Sequence, residues 1–207
     1  MKPLLLLLVP LLVQLPAMAQ TKFAVKAGAN TSTARVYIDG VQQENGYQQG
    51  FGAAAYWNVP FDGLLHFSPS IAYNRRGYAY TPAGGTIGNY RNKVHYLDLL
   101  PALSVNFPVG KKALVVGAGP QFSVALAGTE QTTTANIATS APMKFSNTSN
   151  YGIYDLGFNG SIGLHGSRML LEAAYQLGAA NINNNVAADK RNIQHRMISL
   201  QLGYYFR

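Results

Sequence analysis

Apolar and polar residues alternate with a period of two along most of this chain, and the pattern recurs eight times. The segments fall at about 22–31, 48–59, 64–77, 93–107, 112–127, 151–165, 168–180 and 195–207. In the sixth, Tyr154, Leu156, Phe158, Ile162 and Leu164 alternate with Asp155, Gly157, Asn159, Ser161 and Gly163. The eighth sets Ile198, Leu200, Leu202, Tyr204 and Phe206 against Ser199, Gln201, Gly203 and Tyr205. Successive side chains of a strand point to opposite faces, so each segment is predicted to be a strand with one apolar face and one polar or small face.

The connections sort by length. Pro60-Phe61-Asp62-Gly63, Pro108-Val109-Gly110-Lys111 and His165-Gly166-Ser167-Arg168 are tight turns rich in Gly and Pro, whereas 32–47, 78–92, 128–150 and 181–194 are long. Short and long alternate without exception, which puts every tight turn at one end of an up-and-down antiparallel meander. A soluble β-sandwich also alternates apolar and polar positions. Sorted connections are the pattern of a membrane barrel, with periplasmic turns and extracellular loops.

The N-terminus and the composition sharpen this. Lys2 precedes an apolar run from Leu4 to Leu15, and Ala17-Met18-Ala19 follows, with Gln20 after it. A basic start, a short apolar core and an A-x-A site make a secretory signal peptide. The run is about 12 residues, and a spanning helix needs roughly 20. Residues 1–19 are therefore expected to be removed, leaving 20–207 as one domain. The chain has no Cys, so it offers neither disulfides nor thiolate metal ligands, and no later stretch is apolar enough for a membrane helix. Charged residues make up 12% of the chain, against about 25% in ordinary soluble domains. Its net charge is +8. In an exported protein anionic lipid is a better partner for that charge than nucleic acid.

The expectation is all-β: an eight-stranded antiparallel transmembrane β-barrel of a Gram-negative outer membrane. It has short periplasmic turns, four longer extracellular loops and both termini in the periplasm. Aromatic residues fall in two groups. Phe23, Trp57, Phe61, Phe67, Phe107, Tyr204 and Phe206 lie near the tight-turn end. Tyr37, Tyr47, Tyr73, Tyr78, Tyr80, Tyr90, Tyr96, Tyr151 and Tyr154 lie toward the long-loop end. Two interfacial belts would account for both.

Parity turns Lys26, Arg76, Asp98, Asp155 and Glu172 inward. Eight strands enclose a lumen that side chains can fill, and buried charges must be paired or solvated. A salt-bridged plug is the first reading and a proton or substrate path the second. In the plug, Lys26 and Glu172 share a low level, Arg76 meets Asp98, and Asp155 is a further acceptor. Pro69, Pro101 and Pro120 face outward at similar depth on neighbouring strands, so bulges or breaks are expected there, or else a lateral opening. Arg75, Arg91, Lys93, Lys190, Arg191 and Arg196 gather near the long-loop rim, where lipopolysaccharide phosphates or plain solvent would meet them. His95 and His195 lie near the same rim with Asp98, Asp189 and Ser199 close in sequence, but no motif joins them. No catalytic, cofactor-binding or metal-binding set stands out, and no enzyme is expected. The long loops, rich in Asn, Thr, Gln and Ser, are flexible or carry a surface for a protein partner.

Four stretches also resemble a known family. Phe67-Ser68-Pro69-Ser70-Ile71-Ala72-Tyr73-Asn74-Arg75-Arg76-Gly77 is followed by His95-Tyr96-Leu97-Asp98-Leu99-Leu100-Pro101-Ala102-Leu103. Then come Gly117-Ala118-Gly119-Pro120-Gln121-Phe122 and Leu171-Glu172-Ala173-Ala174-Tyr175-Gln176-Leu177-Gly178. In this order they are similar to the PorT-like outer membrane β-barrels of the Bacteroidetes. The resemblance implies an eight-stranded barrel, and its namesake is tied to type IX secretion. It also implies a C-terminal aromatic read by the barrel assembly machinery; here Arg207 follows Phe206. The expected function is a structural or interaction barrel displaying its loops. The alternative is a transport or secretion component working as a small channel.

Overall fold

The computed structural model describes residues 21–81, 87–146, 151–184 and 191–206. The expected signal peptide, Asp189 and Lys190 lie outside the described residues. Among those described every element is a strand. They are β1 (Lys22–Ile38), β2 (Val41–Gln42), β3 (Glu44–Gly46), β4 (Gln48–Asp62), β5 (Leu65–Phe67), β6 (Ser70–Arg76) and β7 (Ala79–Thr81). Then follow β8 (Ile87–Leu100), β9 (Leu103–Val109), β10 (Lys112–Thr134), β11 (Ile137–Pro142), β12 (Tyr154–His165), β13 (Met169–Gly178) and β14 (Arg191–Phe206).

The pairing closes on itself. β1 pairs antiparallel with β14 on one side and β4 on the other. From β4 the ladder passes to β5 and β6, then to β9 and β8, then to β10, β12, β13 and back to β14. Counting each broken pair as one, about eight strands close the ring. Closure leaves this ring no edge, so its backbone donors and acceptors are met within the sheet.

The sides of this ring are inverted relative to a soluble protein. In β12 and β14 every large apolar residue of the alternating set is exposed, from Leu156 and Phe158 to Leu200 and Leu202. Their alternates Asp155, Asn159, Ser199 and Gln201 are buried. At the tight-turn end Phe23, Trp57 and Phe206 touch across three strands, with ring centroids 5.2 and 5.7 Å apart. The turns there are as tight as their sequences require. Gly110 sits at φ +60°, a left-handed conformation that glycine adopts without a Cβ penalty.

The strands run further at the other end than periodicity suggested. β1 continues to Ile38, β10 to Thr134 with β11 folding back on it, and β8 starts at Ile87. All four expected long loops are therefore partly β-structure, the fourth because β14 starts at Arg191. The cause is a second core inside the ring. Tyr78, Tyr80, Tyr90, Tyr96 and Tyr151 are 6% exposed or less and pack with Val36, Val94, Ile182 and Ile193. Four of them, Tyr78, Tyr80, Tyr90 and Tyr151, were expected in an outer belt, and the structure corrects that; Tyr96 lies on the inner face with Asp98, as its strand parity implies. They carry inner-face parity into the extensions, while Tyr47 and Tyr154 remain on the outside.

The prolines divide. The ladder breaks between β5 and β6 at Ser68-Pro69, and between β8 and β9 at Pro101-Ala102. Pro120 instead lies within the continuous β10, opposite Phe158. β10 passes from β8 to β9 at that level, so its missing donor falls where the neighbouring ladder is already interrupted.

Candidate functional site: the charged lumen

Three polar layers fill the ring. The lowest joins Lys26 of β1 to Glu172 of β13 in a buried ion pair, with the ammonium 4.9 Å from the Tyr56 ring centroid. Beside it Tyr205 Oη and His165 Nδ1 are 2.8 Å apart.

The middle layer centres on Arg76, the last residue of β6. Its Nη2 lies 3.2 Å from Asp98 Oδ1 and 3.6 Å from Asp155 Oδ2, and its Nη1 donates to Gln176 Oε1 at 3.0 Å. The guanidinium carbon lies 4.0 Å from the Tyr96 ring centroid. Asp98 also accepts from Asn74 Nδ2 at 2.7 Å, and Asp155 lies 3.1 Å from His195 Nδ1. All of these side chains are buried. Taking such charges out of water costs several kcal/mol per ion, recovered only when partners are close and remaining lone pairs are met. The fork of Arg76 supplies close partners by facing two carboxylates and an amide at once, while Asp155 Oδ1 and Arg76 Nε are buried without a hydrogen bond among the described residues.

A polar cavity of about 30 Å³ separates these layers, lined by Ser68, Ser70, Ser104, Asn159 and Ser161. That is room for roughly one or two waters.

The uppermost layer lies in the strand extensions. Tyr90 and Tyr151 share a hydroxyl hydrogen bond, and Glu130 Oε2, 2.8 and 3.2 Å from them, accepts from whichever hydroxyl does not donate to the other. Arg191 Nη1 donates to Tyr80 Oη at 3.1 Å, and its guanidinium lies within 6 Å of the Tyr90 and Tyr151 rings. Burial pushes the Tyr78 and Tyr151 hydroxyls above the ordinary phenol range. Both stay protonated at neutral pH, so Tyr151 remains a donor.

The five inward charges read from parity thus fall into two groups, Lys26 with Glu172 and Arg76 with Asp98 and Asp155. Sequence reasoning missed His195, Asn74, Gln176 and Tyr96 as partners. Their signal was the same parity: His195 shares its face with Ser199 and Gln201. The rim cations separate. Arg75, Arg91, Lys93 and Arg196 lie on the outer wall, where Arg75 covers the Phe51 ring at 5.2 Å. Arg191 departs from its expected place, because its side chain turns into the tyrosine layer. His95, hydrogen-bonded to Tyr73, is on the outer wall, and His195 is inside. The sheet therefore stands between the two histidines, and they cannot act on one group. Among the described residues no three His, Cys, Asp or Glu side chains gather as a metal site.

The geometry is that of a closed antiparallel β-sheet with an apolar exterior and an ion-paired interior. No protein-family model matches the chain, and no curated protein matches it. Among solved structures it is similar to the attachment invasion locus protein Ail of Yersinia pestis, with 13% identity, coverage of 89% of this chain and 98% of that one, and a TM-score of 0.46. Neisserial surface protein A is similar at 13% identity over 89% and 97%, TM-score 0.46. OprG of Pseudomonas aeruginosa is similar at 12% identity over 90% and 96%, TM-score 0.48.

Proposed function

We propose that the protein is an integral outer membrane β-barrel of eight strands, exported by a cleaved signal peptide, that displays its extracellular extensions over a side-chain-filled lumen. The observation that carries this reading is the inverted ring. A contiguous apolar wall far larger than a few hundred Å² marks a membrane or protein contact, and here it encircles the sheet. The inner charges have close partners, which suits a structural plug. Lipid and lipopolysaccharide are the partners of the outer wall, and the barrel assembly machinery acts during insertion. A protein partner would meet the extensions, where β11 is exposed along its whole length. The order of the four family-like stretches supports kinship with PorT-like barrels.

The protein refolded into vesicles should show the heat-dependent gel mobility of a barrel and stay silent in planar bilayers. Stable, ion-selective openings of the intact protein would replace this reading with a small channel.

A further inference from the structure

Between the turns 108–111 and 165–168 the outer wall carries a groove of about 470 Å³. Its floor is apolar by register. Leu164 of β12 pairs with Leu171 of β13, and Leu171 pairs with Leu202 of β14, so three leucines form one row across three strands. All three are exposed, from 39% at Leu164 to 60% at Leu202. Its rim is cationic. Lys111 and Lys112 stand at the end of one turn, Arg168 at the end of the other, and all are exposed. No carboxylate lines the groove. The acid nearest in sequence on these strands, Glu172, is turned inward and held by Lys26.

We propose that this groove binds one anionic glycerophospholipid from the leaflet at the tight-turn end. The headgroup phosphate meets Lys111, Lys112 and Arg168, and an acyl chain lies along the leucine row. The leaflet rests on the membrane reading above. The two chemistries together select the occupant. Free phosphate would satisfy the cations but leave the leucines uncovered. A zwitterionic lipid would cover the leucines but bring its own cation to a positive rim. A guanidinium and two ammonium groups converging from two turns hold a phosphate better than scattered rim charges do.

The test is native mass spectrometry of the refolded full chain taken from equimolar phosphatidylglycerol and phosphatidylcholine. The wild type should retain phosphatidylglycerol in preference. A Lys111→Gln, Lys112→Gln, Arg168→Gln variant should lose that preference by about a hundredfold, from roughly 1 kcal/mol for each of three cations. Lys22→Gln, which removes a charge at the same end but outside the groove, should keep it. Equal loss in Lys22→Gln would mean diffuse charge and overturn the site. So would a wild type with no preference, or displacement of the lipid by millimolar inorganic phosphate. Failure of the wild type to insert into any vesicle would instead overturn the barrel reading, and gel mobility separates that outcome from the others.

Discussion

Replacing Arg76 by Met should be among the most damaging single changes in the lumen. It leaves two buried carboxylates without their shared cation. Asp98 keeps Asn74 at 2.7 Å, and Asp155 keeps His195 at 3.1 Å. Removing one partner from a buried pair costs about 3–5 kcal/mol. Asp98→Asn is milder. It preserves volume and can still bond Asn74, while Arg76 retains Asp155 at 3.6 Å and Gln176 at 3.0 Å. Its cost should be about 1–3 kcal/mol, that of weakening one charged hydrogen bond. In the double variant the amide at position 98 no longer needs a cation. The combined loss should fall short of the sum by about 1–3 kcal/mol. Urea unfolding in vesicles, followed by the fluorescence of Trp57, the sole tryptophan, measures all four corners. Strict additivity would refute the coupling and remove the main support for the plug.

Four further outcomes are expected. A cysteine at Asn136, at the tip between β10 and β11, should label from outside intact cells, and one at Gly110 should not; labelling at Gly110 alone would reverse the orientation. Leu156→Arg should cost about 2–4 kcal/mol of bilayer folding stability and exceed Asn159→Arg, because a charge facing lipid at mid-depth has no partner; equal losses would mean the faces are wrongly assigned. Tyr151→Phe removes a hydroxyl that bonds both Tyr90 and Glu130, so it should cost about 1 kcal/mol and speed proteolysis of the extensions; unchanged cleavage would mean the tyrosine layer does not hold them. Gly28→Ala should block folding, since a Cβ there would stand 1.9 Å from the Leu200 carbonyl oxygen; a wild-type melting curve would contradict that close approach.

The alternation of single residues was enough to place strands and to sort their faces, because a period of two survives in any strand whatever it pairs with. Parity alone turned Lys26, Arg76, Asp98, Asp155 and Glu172 inward, and the lengths of the connections were enough for an antiparallel meander. Parity does not carry height. Counting from the tight turns already set Lys26 with Glu172 and Arg76 with Asp98, but which other side chains complete a layer depends on the stagger of closure, so Asn74, Gln176 and His195 became visible as partners only in the structure. Nor does a local pattern say where a strand stops when packing extends it. Tyr78, Tyr80, Tyr90 and Tyr151 read equally well as interfacial rings, and only the closed ring brought them from three separate stretches into one buried core. Arg191 followed them inside because its guanidinium finds the Tyr80 hydroxyl and two aromatic faces there. The groove at Lys111, Lys112 and Arg168 is of the same kind: its cations come from turns more than 50 residues apart in sequence, and cross-strand register alone sets them over one row of leucines.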